Sequence, residues 1–101
     1  MPHFAVRMEP GPGWDHARSR RRQEQWDEHA EFMDSLVADG FVLIGGPMGP
    51  TDLVLLAVEA ADEADVRARL ATDPWAAPGV MTVASVEPWS LWLVTERLVD
   101  L

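Results

Sequence analysis

The stretch WDEHAEFMDSLVADGFVLIGG, Trp26 to Gly46, changes its periodicity once, and that change decides the fold. Up to Val37 the apolar residues Trp26, Ala30, Met33, Leu36 and Val37 recur every three or four positions, and His29 falls among them. Glu24, Asp27, Glu28, Glu31 and Asp34 fill the other side. Such a pattern is a helix with one stripe on a core, and it predicts a helix from about Ser19 to Asp39. Gly40 follows the last apolar residue, where glycine tolerates the left-handed conformation that ends a helix. After it, Phe41 to Gly45 is continuously apolar and reads as a strand.

The flanks extend this helix–strand unit in both directions. Upstream, HFAVRME alternates Phe4, Val6 and Met8 against Ala5 and Arg7, which predicts a first strand. Pro10, Gly11, Pro12 and Gly13 then break it. Downstream, GPMGPTD is a turn, and Leu53 to Glu59 is a third strand, apolar on both faces and so central in a sheet. A second helix runs from about Asp62 to Ala71, with acids in its first turn and Arg67 and Arg69 later, as the helix dipole favours. DPWAAPG is irregular, Val80 to Glu87 is a fourth strand ended by Pro88, and Ser90 to Val94 is an extra strand reaching toward a partner.

The order β-α-β-β-α-β is the ferredoxin-like split-βαβ arrangement, an α+β class in one domain over residues 1–101. Two helices cover one face of a four-stranded antiparallel sheet. The other face keeps apolar residues that need cover, and PWSLWLV carries Trp89, Leu91, Trp92 and Leu93. These two features predict a homodimer with residues 88–101 at its interface.

Composition narrows the function. The chain of 101 residues carries a net charge of −9, which disfavours nucleic acid and anionic membrane surfaces. All 8 basic residues are arginine, and Arg18, Arg20, Arg21 and Arg22 lie in ARSRRR, a solvated turn or a small-anion site. No cysteine is present, so disulfides and thiol chemistry are excluded. The start has no secretory pattern, and the most apolar stretch is broken by GGPMGP and Asp52, which rules it out as a membrane span. A cytoplasmic location is the default expectation.

The three histidines, His3, His16 and His29, have no metal-ligand spacing, and no second histidine follows His29 by one turn. No G-x-S-x-G elbow occurs. GGPMGP lacks both the phosphate-loop Lys-Ser/Thr and dinucleotide spacing, so it reads as a turn, and neither a metal nor an organic cofactor is expected. Acid–base work remains. His29 is either a packed core residue or a general base. Asp73 is either the carboxylate that orients it or a cap on a turn that Pro74 opens. Arg22 falls on the His29 side of the helical wheel, two turns earlier. Arg18, Arg20 or Arg22 with Asp15 would shape a pocket mouth, and Trp14, Trp26 and Trp75 would wall the pocket.

EHAEFMDSLVADGFVLIGGPM, then a strand, a helix, DPW and PGVMTVASVEPW, resembles the YciI-like family from about Phe4 to Trp92. The matching elements are His29, Gly40, GGP ending at Pro47, Asp73–Pro74–Trp75 and Pro88. The early GPGWD, with Trp14 and Asp15, is similar to one branch of that family. The resemblance implies a ferredoxin-like fold that dimerises into an α/β barrel and a His–Asp site, with His29 as base and Asp73 as its partner. Many relatives carry a small hydroxyl residue near the third strand, a place that Thr51 or Asp52 takes here. Some relatives act on halogenated aromatic breakdown products by elimination. The expected ligand is a small anionic or aromatic metabolite, and the expected reaction an elimination or isomerisation. The competing expectation is a non-catalytic dimeric module that binds a small ligand or serves a partner protein.

Overall fold

The computed structural model describes residues 1–99. Strand β1 (His3–Pro10) leads through a loop and a 3-10 turn (Arg20–Arg22) into helix α1 (Trp26–Ala38). Strands β2 (Val42–Pro47) and β3 (Val54–Glu59) follow, then helix α2 (Glu63–Leu70), strand β4 (Met81–Pro88) and a short helix α3 (Glu96–Val99). The sheet is antiparallel in the order β2-β3-β1-β4, the ferredoxin-like order, with β3 and β1 central as the doubly apolar β3 requires.

Register sorts the side chains into two faces. Phe4 pairs with Val58, Val6 with Leu56 and Val6 with Val86, and these residues are buried under the helices. Leu36 of α1 and Val66 and Leu70 of α2 complete that core, with Phe41 and Trp75. The opposite face carries Ala5, Arg7, Ile44, Leu55, Ala57, Ser85 and Glu87, as the pairs Ala5↔Ala57, Arg7↔Leu55, Arg7↔Ser85 and Ile44↔Ala57 dictate. That face is apolar toward β2 and β3 and polar toward β4.

Both helices end as their sequences direct. The α1 stop is a Schellman motif: Gly40 adopts φ 79°, its N–H donates to Val37 O at 3.0 Å, and Phe41 N–H donates to Leu36 O at 3.0 Å. Asp62 caps α2, its carboxylate accepting from Asp65 N–H at 2.8 Å.

Three expectations are corrected. Helix α1 begins at Trp26, not near Ser19, because Gln25 sits in the left-handed region at φ 61° and breaks the helical path from the 3-10 turn. A side chain with a γ-branch-free stem tolerates this at modest cost, whereas a β-branched one does not. Gln25→Val is therefore expected to lower unfolding stability by about 1–2 kcal/mol, and Gln25→Gly to leave it nearly unchanged; urea unfolding of both variants measures the difference. Secondly, Gly46 and Pro47 belong to strand β2, paired with Leu55 and Val54, where a turn was expected. Thirdly, Ser90–Val94 forms no strand. Residue Pro88 pairs with Phe4, Trp89 N–H donates to His3 O at 2.9 Å, and there β1, the one neighbour of β4, runs out. Trp92 and Leu93 are left 88% and 100% exposed.

Candidate functional site

The loop between α2 and β4 is built around Asp73. Its backbone O accepts from Ala76 N–H at 2.9 Å, and its Oδ1 accepts from Trp75 N–H at 2.9 Å, an Asx turn that Pro74 helps to preset. This holds the carboxylate in the interior, 1% exposed, facing α1. There His29 Nδ1 lies 2.9 Å from both Asp73 oxygens. An ionised carboxylate only accepts hydrogen bonds, so a neutral ring making this contact with it carries its proton on Nδ1 and its lone pair on Nε2. One oxygen of Asp73 closes the turn and also lies within hydrogen-bond distance of the histidine, so the two contacts do not exclude one another.

Trp75 fixes the ring from below. Its indole is fully buried and stacks on His29 with centroids 3.8 Å apart and planes 7° from parallel. Nε1–H of Trp75 donates to Glu24 O at 2.7 Å, which ties the loop to the segment before α1. Trp14 meets Trp75 edge-on at 6.1 Å, and Trp26 lies tilted against both Trp75 (5.7 Å) and His29 (5.9 Å). With one face on an indole and Nδ1 on a carboxylate, an imidazolium formed here is stabilised from two directions.

His29 is 12% exposed at its side chain, and it forms part of the wall of a cleft of about 720 Å³ between α1 and strands β2 and β3. Trp26, Met33, Val42 and Leu56 give the cleft an apolar lining. Gly45 lies on its β2 side, and a Cβ there would fall 2.4 Å from Leu56 Cδ2. The glycine thus makes room for the Leu56 side chain. Pocket volumes of this order suit small organic molecules.

The other expected residues divide. Trp26 lines the cleft. Trp14 and Trp75 do not wall it; they are buried behind His29 as its support. Arg22 is exposed and Asp15 belongs to a different surface, where it pairs with Arg18 Nε at 3.3 Å. The left-handed break at Gln25 is the reason, since the helical wheel that aligned Arg22 with His29 does not extend past Trp26. In its place Arg20 and Arg21 reach the cleft. Asp52 stands outside the lining and holds Arg20, accepting from Nη2 at its backbone O (3.0 Å) with Oδ1 at 3.6 Å. Thr51 is occupied in the β2–β3 turn, its hydroxyl donating to Met48 O at 2.8 Å. Partial burial lowers the Arg20 pKa from its ordinary value and Asp52 opposes that shift; an arginine remains a cation at neutral pH regardless.

Gln23 escaped the sequence reading. It is buried, donates from Nε2 to Asp15 O (2.8 Å) and Arg18 O (3.1 Å), and accepts from Asp15 N–H (2.9 Å). It organises the segment that carries Arg20. Nothing in RRRQEQW separates it from a solvated glutamine. Among the described residues, no group of three or more His, Asp or Glu is gathered to hold a metal ion, and no helix is long and apolar enough to cross a membrane.

A family model described as the YCII-related domain matches residues 7–90. The chain belongs to the YCII-related family. Comparison with curated proteins finds no match. Among solved structures, the chain is similar to 5-chloro-2-hydroxyhydroquinone dehydrochlorinase from Burkholderia phenoliruptrix AC1100 in complex with 2,5-dihydroxybenzoquinone. The TM-score is 0.53 at 20% identity, covering 94% of this chain and 97% of that one. This likeness shows a shared fold, and a YCII-related chain with that fold agrees with the helix and strand order described above.

Proposed function

We propose that this YCII-related protein is a small-molecule enzyme in which His29 is a general base and Asp73 orients it. The supporting observation is the Nδ1 contact with both Asp73 oxygens at 2.9 Å, made by a ring that also borders an apolar cleft. A base whose second nitrogen is held by a buried carboxylate presents Nε2 in the correct tautomer and gains a stabilised imidazolium.

The reaction class is elimination or isomerisation at a carbon acid. His29 Nε2 removes a proton from carbon, and the C–H pair becomes a new C=C bond. In an elimination the leaving group departs from the adjacent carbon with its bonding pair; in an isomerisation the imidazolium returns the proton to another carbon. No oxidant or reductant enters this balance.

The direct test is exchange of the ring C–H of 2,5-dihydroxybenzoquinone in D2O, followed by NMR: the enol carbon gains a deuteron, His29 removes the proton from the resulting sp3 carbon, and the C–H pair restores the enol C=C bond without a leaving group. Wild type is expected to accelerate the exchange and His29→Gln to abolish the acceleration. Equal exchange in both proteins would overturn the role of His29. If His29→Gln instead lowers the melting temperature and leaves binding of the quinone intact without exchange in either protein, the non-catalytic module is the right reading.

The same proposal includes a homodimer. Apolar Ile44 and Leu55 on the sheet face opposite the helices, with exposed Trp92 and Leu93, favour self-association, and the expected interface segment 88–101, of which 100 and 101 lie outside the described residues, is assigned to it. Sedimentation at micromolar concentration is expected to give twice the mass of the chain; Leu93→Glu should shift it toward monomer. A stable wild-type monomer would refute the dimer.

A further inference from the structure

Arg20 differs from its neighbours in the arginine cluster. Arg21 and Arg22 are exposed, whereas the Arg20 side chain is only 17% exposed. Its guanidinium is held on one side by Asp52, through the 3.0 Å bond to the backbone O and the 3.6 Å ion pair. On another side it lies 5.5 Å from the centre of the Trp14 ring. Trp14 in turn packs on Trp75, and Trp75 on His29. A chain of ring contacts therefore fixes the guanidinium relative to the base.

Three further observations point this fixed cation at a ligand. Arg20 borders the same cleft as His29. Among the described residues its hydrogen bonds all leave from Nη2 to Asp52, so Nε–H and the Nη1 donors keep no protein partner. The chain carries a net charge of −9, a field that repels anions unless a local cation reverses it at the point of binding. One carboxylate, Asp34, shares the lining, which leaves the Ser19–Arg21 side as the place for negative charge.

We propose that Arg20 determines specificity in this cleft by pairing with an ionised oxygen of a small planar ring while His29 faces the ring carbon. The inference rests on the reading of His29 as a base and adds the substrate class: a planar ring bearing an enolate or phenolate oxygen. When the proton leaves the sp3 carbon of such a ring's keto tautomer, the C–H pair forms the enolate C=C bond and charge moves onto the oxygen, where a guanidinium already seated stabilises it. The remaining donors lie in the fixed plane of the guanidinium and so also set the orientation of the ring, which a lysine point charge does not.

Two probes of one shape test this: 2,5-dihydroxybenzoquinone, whose enols ionise, and 2,5-dimethoxybenzoquinone, which has no ionisable oxygen. The chain has neither cysteine nor lysine side chains to add to a quinone. Binding is read by quenching of tryptophan fluorescence in wild type, Arg20→Gln, Arg20→Lys and Arg22→Gln. Wild type should prefer the ionisable ring, and Arg20→Gln should weaken its binding by about tenfold or more while leaving the dimethoxy ring unchanged. Arg20→Lys should restore part of the affinity, and Arg22→Gln should match wild type. The proposal is overturned if Arg20→Gln binds the ionisable ring as wild type does, or if it weakens both rings equally, the mark of a packing role. Failure of wild type to bind either ring also overturns it. The His29–Asp73 reading is judged separately, by the ring-nitrogen signals of His29.

Discussion

Replacing Asp73 by asparagine is expected to leave the fold standing and to invert the tautomer of His29. Oδ1 of Asp73 serves Trp75 N–H as well as His29, so an asparagine will keep its oxygen on that backbone donor to close the turn. Its amide NH2 then faces His29 Nδ1, which must become an acceptor. The ring proton moves to Nε2, the nitrogen that a base must keep free. In a serine-protease triad the corresponding change lowers kcat by about 10⁴, and a loss of that order is expected here in quinone deuterium exchange. Imidazole 15N signals report the tautomer directly. An asparagine variant whose Nε2 still lacks its proton would show that Asp73 does not orient the ring. Asp73→Ala is a different experiment: it strands two buried donors and should cost about 2–5 kcal/mol of stability.

The largest effect on stability is expected at Trp75. Its indole is fully buried, touches Trp14, Trp26 and His29, and donates to Glu24 O. Trp75→Ala should cost about 3–5 kcal/mol through lost packing and the cavity left behind. For a domain of this size that is a fall in melting temperature on the order of 15 °C or more. Trp75→Phe keeps a ring against His29 and loses the Nε1–H donor, so it should cost about 1–2 kcal/mol, because Glu24 O is left to find water. Calorimetry of both variants tests the ranking. If the alanine variant melts within a few degrees of wild type, the indole is not what joins the loop to α1.

Much of this architecture is legible in the residues. Alternation in β1, the 3.6 period of α1 and the double-sided apolarity of β3 each reflect burial that a strand or helix cannot avoid. Gly40 announces its cap because its chemistry is local, whereas Asp62 reads as a first-turn acid and serves as the cap. Asp73 was legible as a candidate for the same reason, since Asp-Pro sets a turn. What escaped depends on single backbone angles and on contacts distant in sequence. Gln25 gives no sign of its positive φ, so the wheel through Arg22 was carried one turn too far. Trp75 reads as a pocket wall, and only the loop geometry turns it under the histidine. The glycines of β2 read as a turn, because nothing local says that β3 continues opposite them.

The indole of Trp75 makes the site a junction between two parts of the chain rather than a property of either. Residues 73–79 form their own turn hydrogen bonds, and α1 forms its own ladder, but His29 and Asp73 meet only while the loop is seated. Local openings of a native protein occur more readily than global unfolding. Each excursion of this loop would take away the carboxylate and the aromatic support together. On the proposed reading of His29 as a base, its competence is thus a measure of loop occupancy.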